Sequence, residues 1–395
     1  MRTGSLIITG AQVWDGAGFT ARDVHIVDGR VVSAAEAGAD AEKLDASGRW
    51  LIPGLIDAHF HAYATSMDGL ENERGPLSFT AINGARRLTR ALQRGFTTVR
   101  DVAGGDIGLA QAVDADLFLS PRYHFTGPAL SQTGGHGDPR SAHVDVCFSH
   151  GHMCEVVDGV DNLRLAVRNR MRTGAHAIKV MASGGVFSLV DPIRNPQYSS
   201  EELRAVVDEA TRRGSYVCAH AYSSEAVQHA VAAGIRSIEH GNLIDQATAE
   251  MMAEAGAFLV PTLAAYDAMD RRGEDLGLNE TSLAKNAIVL EKGQDAVRLA
   301  HAAGVRVGFG TDLMGDLEDD QLAGIRLQVA ASSAAETLRS MTSVNAELIG
   351  DDALGHLGEG AYGDAVLLAS DPLADPSVLW EQDARVAVVR GGVVV

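Results

Sequence analysis

One local pattern recurs along the chain from residue 55 to residue 348: an amphipathic helix, a stop that contains glycine, a short apolar strand and a polar loop. Glycine suits the stop because it accepts the left-handed backbone conformation at which a helix ends. Strands that alternate with helices form parallel sheets with helices on their faces. The pattern therefore predicts an α/β fold, and eight rounds favour a (β/α)₈ TIM barrel. The glycine stops are Arg94–Gly95, Thr173–Gly174, Arg213–Gly214, Ala233–Gly234, Ala255–Gly256 and Ala303–Gly304.

Eight apolar stretches are candidates for the barrel strands. They are Leu55–His59, Phe96–Asp101, Arg122–Thr126, Ala177–Ala182, Tyr216–His220, Arg236–His240, Ala257–Thr262 and Val305–Thr311. The alternative is a doubly wound open sheet, which commonly carries a Gly-x-Gly-x-x-Gly turn after an early strand. No such turn follows an early strand in this sequence, so the barrel is the favoured prediction.

Both ends of the chain differ from the middle. Short apolar stretches there alternate with turn signals such as Asp28-Gly29, which are typical of tight turns between strands. We predict that residues 1–54 and 351–395 pair into one small β-sandwich and that residues 55–350 form the barrel.

Composition excludes several classes of function. The chain has 395 residues, of which 33 are Lys or Arg and 52 are Asp or Glu, so its formal net charge is −19. That balance excludes a general nucleic-acid binder, which needs clustered cations. Hydrophobic residues make up 46% of the chain, which excludes a disordered protein, and no apolar run approaches the ~18 residues of a membrane helix. Cys147, Cys154 and Cys218 are too few for a disulfide framework, so we expect a cytoplasmic protein.

Residues of metal-ligand type end several of the predicted strands. His59 and His61 stand two positions apart on the first strand, so their side chains point to the same side. His220, His240 and Asp312 end the fifth, sixth and eighth strands. In a (β/α)₈ barrel these ends meet at the face that carries the active site. Four imidazoles and a carboxylate there predict a site for Zn²⁺ or a similar divalent ion.

The predicted fourth strand carries Lys179, which is unusual beside metal ligands. A lysine ammonium has no lone pair and is repelled by cations. If Lys179 reacts with carbon dioxide, it becomes a carbamate whose two oxygens can bridge two metal ions. An ion-pair partner inside the barrel is the other interpretation of this lysine.

Several motifs together resemble the amidohydrolase superfamily, over essentially the whole chain. The stretch Leu51–His61 is similar to its first metal motif, and the closest group is the imidazolonepropionase-related, prolidase-type amidohydrolases. Four further stretches carry that likeness: Gly134–Asp138, Ile178–Gly185, Glu239–Asp245 and Gly310–Asp312. The resemblance implies two divalent ions such as zinc, a carboxylated lysine and often a homo-oligomer.

The resemblance also implies a role for each candidate ligand. His59, His61 and Asp312 hold the more buried ion, and His220 and His240 hold the second. The carboxylated lysine bridges the two ions.

Further roles in catalysis and substrate binding follow from the same resemblance. Asp312 takes a proton from the attacking water and passes it to the leaving nitrogen. Tyr222 polarises the carbonyl and stabilises the oxyanion. His136 and Arg140 face the substrate, and Arg140 is a candidate clamp for a free carboxylate.

These observations predict a binuclear metal-dependent hydrolase that cleaves an amide or peptide bond through a metal-bridging hydroxide. The expected small-molecule substrate is a dipeptide or N-acyl amino acid with a hydrophobic, aromatic or proline residue, and related enzymes hydrolyse ochratoxin-type xenobiotics. The alternative is imidazolonepropionase-like hydrolysis of a cyclic amide, a carbamate or a lactone. Lys179 disfavours true imidazolonepropionases and deaminases, which are mononuclear. The loop Phe187–Ser199 follows the lysine strand and is placed to cover the site.

Overall fold

The computed structural model describes residues 3–36, 41–141, 143, 151–188 and 191–395. Both ends of the chain contribute to one mixed sheet, and the middle forms parallel sheets that alternate with helices. Cys147 and two residues of the loop Phe187–Ser199 lie outside the described residues.

The secondary structure follows the predicted alternation. The strands are β1 (Leu6–Trp14), β2 (Phe19–Val27), β3 (Arg30–Val32), β4 (Glu42–Asp45), β5 (Trp50–Pro53), β6 (Leu55–Phe60), β7 (Phe96–Asp101), β8 (Arg122–Phe125), β9 (Ala129–Ser131), β10 (Cys154–Val156), β11 (Ile178–Met181), β12 (Val217–Ser223), β13 (Ser237–Leu243), β14 (Phe258–Val260), β15 (Arg306–Val307), β16 (Ala365–Leu368), β17 (Arg385–Arg390) and β18 (Val393–Val394). The α-helices are α1 (Gly69–Arg74), α2 (Leu77–Gln93), α3 (Ile107–Asp114), α4 (Val160–Arg172), α5 (Ser200–Thr211), α6 (Ser224–Ala232), α7 (Gln246–Glu254), α8 (Leu263–Arg272), α9 (Glu280–Ala303), α10 (Ala323–Ala331), α11 (Ala334–Arg339) and α12 (Asn345–Ile349).

The mixed sheet joins the two ends of the chain, as the sequence predicts. Its strand order is β18-β17-β16-β5-β1-β2-β3, and β4 pairs with β1. The C-terminal strand β16 pairs antiparallel with β5, so the last part of the chain lies beside the first. A register shift between Ile8 and Ala11 marks a bulge in β1, and Gly10 lies within it. Gly10 has a φ of 72°, which disfavours any residue with a Cβ atom.

Two parallel sheets form the middle of the chain. Strands β6, β7 and β8 form one sheet, and the other has the order β10-β9-β11-β12-β13-β14-β15. Each of the eight predicted segments overlaps an observed strand. The short strands β9 and β10 are not predicted. Each has three residues and pairs only with strands that are distant in the sequence.

Backbone hydrogen bonds connect the two parallel sheets at both junctions. Ala58 N donates to Phe309 O at 2.9 Å, and Asp312 N donates to His59 O at 2.8 Å. At the other junction, His176 N donates to Phe125 O at 2.7 Å. The first and last strands of the middle unit are therefore neighbours.

Helix α9 shows how the sequence places the helices against the sheet. Its first turn is capped by Asn279, whose side chain accepts from Ser282 N, and Gly304 ends it with a φ of 82°. Its buried residues Val297 and Ala300 belong to the apolar core that packs against the strands. No helix among the described residues is both long enough and apolar enough to cross a membrane.

Asn345 stabilises the junction between the first and last strands. Its Nδ2 donates to Ile56 O at 2.8 Å and to Phe309 O at 2.9 Å, and its Oδ1 accepts from Phe309 N at 3.2 Å. Because Asn345 is fully buried, water cannot replace these bonds.

We therefore expect Asn345→Ala to lower the free energy of unfolding by about 3 kcal/mol, measured by urea denaturation. The control is Asn169→Ala on the exposed face of α4, which should change it by about 0.5 kcal/mol or less. Equal losses in both variants would contradict the role of Asn345.

Candidate metal centre and substrate cavity

The predicted ligand residues meet at the carboxyl ends of the parallel strands. His59 and His61 lie at the end of β6, His220 lies on β12, and His240 lies on β13. Asp312 follows β15 after a short extended stretch. The four imidazoles are buried, and all five side chains line one cavity.

One group of ligand atoms is already arranged around a common point. His61 Nε2 lies 2.9 Å from Asp312 Oδ1, and His59 Nε2 lies 3.3 Å from the same oxygen. Ligand atoms of these three residues all lie within 4.8 Å of one another, so they could hold one metal ion.

A second pair of imidazoles lies beside this group. His220 Nδ1 is 2.8 Å from His240 Nε2. Burial lowers the pKa of both imidazoles well below the ordinary histidine value, so both are neutral at pH 7. A neutral imidazole carries one N–H and one lone pair, and the partner of the outer nitrogen decides which nitrogen has the proton.

Outer hydrogen bonds direct the histidine lone pairs toward the cavity. His59 Nδ1 lies 2.7 Å from Glu239 Oε2, and His61 Nδ1 lies 3.3 Å from the carbonyl oxygen of Ala103. His220 Nε2 lies 3.2 Å from the carbonyl oxygen of Gly184. Carbonyl and carboxylate oxygens only accept, so each of these imidazoles donates its outer N–H and presents a lone pair inward.

This arrangement fits a bound cation. With Nε2 protonated, the Nδ1 lone pair of His220 faces His240 Nε2 at 2.8 Å. His240 Nδ1 has two hydroxyl partners, Thr262 Oγ1 at 2.7 Å and Tyr266 Oη at 2.8 Å, which can accept an outward N–H when a cation takes the inner nitrogen. Two lone pairs that face each other repel, and a divalent ion between them removes the repulsion.

Two of the predicted ligands have an unusual backbone conformation. The φ angle is 77° at His240 and 55° at Asp312, in the left-handed region that side chains other than glycine rarely adopt. Such conformations are costly, and they cluster at sites where function requires a particular side-chain direction.

A buried ion pair supports the first histidine. Glu239 accepts from Arg100 Nη2 at 2.8 Å with its other carboxylate oxygen, and both side chains are fully buried. Burial acts to raise the pKa of Glu239, but the charge of Arg100, the hydrogen bond from His59 and the charge of Lys179 together outweigh it and hold that pKa well below its usual range. Glu239 is therefore a carboxylate, which holds the His59 N–H. The sequence analysis does not single out Arg100, although a charged residue inside an apolar strand is itself a signal.

Lys179 lies among the histidines at the base of the cavity. Its side chain is 2% exposed, and it lines the same cavity as the four imidazoles. Among the described residues, no hydrogen bond or ion pair is found for its amino group. A buried ammonium without a partner is very costly, so Lys179 needs a further group to neutralise it.

The cavity above these residues has a volume of about 680 Å³. About half of its wall is apolar, with Val186, Phe187 at the start of the predicted covering loop, and a set of methionines. The methionines are Met67, Met153, Met181, Met269 and Met314. Methionine side chains are flexible and polarisable, so they adapt to apolar groups of different shape.

The predicted substrate residues also lie on this wall. The His136 ring stacks on His220 with centroids 4.1 Å apart, and the Tyr222 ring stacks on His240 with centroids 4.9 Å apart. Arg140 lines the cavity too, but its guanidinium forms a two-point ion pair with Asp138 at 2.6 and 2.8 Å. Its role as a carboxylate clamp stays a prediction, and Asp138 competes for the same donors.

Lys285 of α9 holds the segment that carries part of this wall. Its Nζ donates to three carbonyl oxygens, those of Gly185 at 3.0 Å, Ser188 at 2.6 Å and Asp191 at 2.8 Å. The Ser188 hydroxyl in turn lies 3.0 Å from His136 Nδ1. The sequence analysis missed Lys285, because a lone helical lysine gives no signal that it faces inward.

Histidines and a carboxylate at the carboxyl ends of parallel strands are typical of enzymes that hydrolyse their substrates with the help of metal ions. The family model described as "Amidohydrolase family" matches residues 50–395. The chain therefore belongs to the amidohydrolase family and is a hydrolytic enzyme, as the motifs predict.

Individual relatives agree with this family. The chain is 33% identical over 367 residues to ochratoxinase from Aspergillus niger, an alignment that covers 87% of this chain and 75% of that protein. It is similar to the crystal structure of a prolidase complexed with N-methylphosphonate-L-proline, with 41% identity, a TM-score of 0.95 and 99% of both chains covered. A Xaa-Pro dipeptidase with bound methionine in its active site has 27% identity and a TM-score of 0.88, over 99% of both chains.

The contacts of Lys285 predict a local loss of order when it is replaced. We expect Lys285→Met to speed amide hydrogen exchange in residues 184–188 by about tenfold, because three carbonyl partners are lost. Mass spectrometry of peptides from this segment measures the rate. The control is Lys292→Met on the exposed side of the same helix, and an unchanged rate in the Lys285 variant would contradict the anchoring role.

Proposed function

We propose that this chain is a binuclear metal-dependent amidohydrolase that cleaves the amide bond of a dipeptide or N-acyl amino acid. The observation that carries the proposal is the convergence, at the base of one cavity, of four buried imidazoles, Asp312 and a buried Lys179 that has no hydrogen-bond or ion-pair partner among the described residues. A structural metal site needs no cavity beside it, whereas a hydrolase needs a cavity that admits substrate and water.

We also infer that the two parallel sheets form one closed (β/α)₈ barrel over residues 55–350. The hydrogen bonds at both sheet junctions support this closure. The flanking β-sandwich then consists of residues 1–54 and 351–395, which share the mixed sheet. The ligand residues come from separate strands, so their convergence depends on closure of the barrel.

The proposed ligands divide into two sets. His59, His61 and Asp312 would hold one ion, and His220 and His240 would hold the other. Divalent ions lower the pKa of bound water and polarise a carbonyl oxygen.

Carboxylated Lys179 would lie between the two ligand sets. In that modification the Nζ–C bond to carbon dioxide forms and two protons leave the ammonium nitrogen, so the cation becomes an anion. The group then suits a site for cations and needs no other partner among the protein side chains. Zinc is the ion we propose, because imidazole-rich sites suit it.

The side chains would handle protons and charge during hydrolysis. A water oxygen bonds to the amide carbon, the carbon–nitrogen bond breaks, and Asp312 carries the proton from the water to the leaving nitrogen. Tyr222 donates its hydroxyl hydrogen to the carbonyl oxygen as negative charge develops there. Burial raises the pKa of Tyr222 above its ordinary value, so its hydroxyl keeps the hydrogen at neutral pH. His136 would contact the bound substrate from the opposite wall.

The cavity supports a substrate with a hydrophobic, aromatic or proline residue. Its methionine-lined wall suits an apolar side chain, and its volume of about 680 Å³ lies in the range of small-molecule sites. Among the relatives, ochratoxinase and the prolidase point to amides of the same general kind. An ochratoxin-like amide therefore belongs among the candidate substrates.

We further propose a cytoplasmic enzyme that acts as a homo-oligomer. Cys154 and Cys218 are free and buried, which supports a reducing compartment. Size-exclusion chromatography with light scattering tests the oligomeric state.

Metal content tests the binuclear assignment. Protein purified with bicarbonate and without chelator should contain about two metal ions per chain, measured by mass spectrometry. Lys179→Ala should retain about one ion, because the group between the two ligand sets is lost. The exposed variant Lys292→Ala should keep the full content. Full metal content and full activity in Lys179→Ala would disprove the bridging role.

A substrate panel tests the reaction class. We expect hydrolysis of Xaa-Pro and Xaa-hydrophobic dipeptides and of N-acetyl hydrophobic amino acids, with kcat/KM at least about tenfold above that for charged side chains. Cyclic amides, carbamates and lactones of similar size serve as the comparison set. Activity confined to the comparison set would replace the proposal with the imidazolonepropionase-like alternative.

A further inference from the structure

A chain of hydroxyl groups leads from His240 to the cavity. Tyr266 of α8 is 1% exposed, and its Oη lies 2.8 Å from His240 Nδ1 and 2.9 Å from Thr262 Oγ1. The same Oη lies 3.0 Å from the Oη of Tyr222, which lines the cavity. The three hydroxyls therefore connect a proposed metal ligand with the proposed oxyanion donor.

The direction of these hydrogen bonds follows from the first donor. With a cation at its inner Nε2, His240 carries its hydrogen on Nδ1 and donates it outward to the oxygens of Thr262 and Tyr266, which lie 2.7 and 2.8 Å away. If Thr262 then donates to Tyr266, the Tyr266 hydroxyl has its hydrogen free to donate to Tyr222. Every hydrogen in this arrangement points from His240 toward the cavity.

The reverse direction leaves a buried donor without a partner. If Tyr222 donated to Tyr266, then Tyr266 would donate to Thr262, and the Thr262 hydroxyl hydrogen would need another acceptor. Thr262 is fully buried, and its hydroxyl has no further partner among the described residues. Because a buried unsatisfied donor is costly, the outward direction is favoured.

The outward direction of these hydrogen bonds determines where the hydrogen of the Tyr222 hydroxyl points. Within the described part of the chain, Tyr266 is the one hydrogen-bond partner of that oxygen. Since the oxygen accepts from Tyr266, its own hydrogen points away, into the cavity. A substrate carbonyl there meets a donor that is already oriented, which is the condition for effective stabilisation of developing charge.

We propose that Tyr266 is a positioning residue, which orients the Tyr222 hydroxyl so that it donates to the carbonyl oxygen of the amide substrate. This inference rests on the proposed function, because the bound ion sets the tautomer of His240 and the amide substrate receives the hydrogen of Tyr222. Tyr266 does not line the cavity, so its effect on substrate passes through Tyr222.

The kinetic test compares Tyr266→Phe, Tyr222→Phe and the double variant with the wild-type enzyme. We expect Tyr266→Phe to lower kcat about tenfold with little change in KM, since the donor acts mainly on developing charge. In the Tyr222→Phe background the same change should have almost no further effect, because the group that it orients is gone. Equal fold losses in both backgrounds would overturn the proposal.

Two further measurements separate positioning from loss of structure. Affinity for an uncleaved amino-acid N-methylphosphonate, measured by calorimetry, should fall in Tyr266→Phe and fall no further in the double variant. Metal content should stay unchanged in both single variants. Tyr362→Phe in the mixed sheet serves as the matched tyrosine control and should change neither affinity nor rate.

The hydrogen-bond direction is tested without any substrate. The intensity ratio of the tyrosine ring doublet in ultraviolet resonance Raman spectra distinguishes a phenol that accepts from one that donates. Subtracting the spectrum of Tyr222→Phe isolates Tyr222, which should lose acceptor character in Tyr266→Phe. A loss of donor character instead would overturn the proposal. If the spectra agree but no amide is bound or cleaved, the proposed function fails and the orientation stands.

Discussion

The site depends on the outward hydrogen bonds of four buried imidazoles. Each histidine has two ring nitrogens, and a partner on the outer one leaves a lone pair on the inner one. Glu239, the carbonyl oxygens of Ala103 and Gly184, and two hydroxyl groups supply those partners. Because these partners belong to the surrounding fold, the fold itself orients the imidazoles in a way that suits a cation in the cavity.

Hydrogen bonds also fix the backbone segments that carry the candidate ligands. Arg87 of α2 donates to the carbonyl oxygens of His61, Leu313 and Gly315 at 3.2, 2.7 and 2.9 Å. Asp57 accepts from the Thr311 hydroxyl at 2.6 Å. These bonds connect the strand that holds the first two histidines with the segment that holds Asp312. Movement of either segment would separate ligands that lie far apart in the sequence.

The convergence of the candidate ligands could be predicted because its signals are local and additive. The two-residue spacing of His59 and His61 places both on one side of a strand, and glycine stops locate the other strand ends. The supporting residues could not be predicted in this way. Arg100, Tyr266 and Lys285 are ordinary residues of a strand and two helices, and only their distances to other elements show what they do. Arg140 is the opposite case. The sequence predicts that its guanidinium binds the substrate, but in the structure this guanidinium donates to Asp138.

By itself, the sequence determined the alternation of strands and helices, the contribution of both ends to a flanking sheet, and the family. Those properties depend on periodicity and short motifs, which a chain carries in its local order. The tertiary structure alone decided the outer partner of each of the four imidazoles, the lack of a hydrogen-bond or ion-pair partner for Lys179 among the described residues, and the contacts that link His240 to Tyr222 through Thr262 and Tyr266. These properties depend on distances of a few ångströms between residues that folding brings together, and hydrogen bonds are directional at that scale.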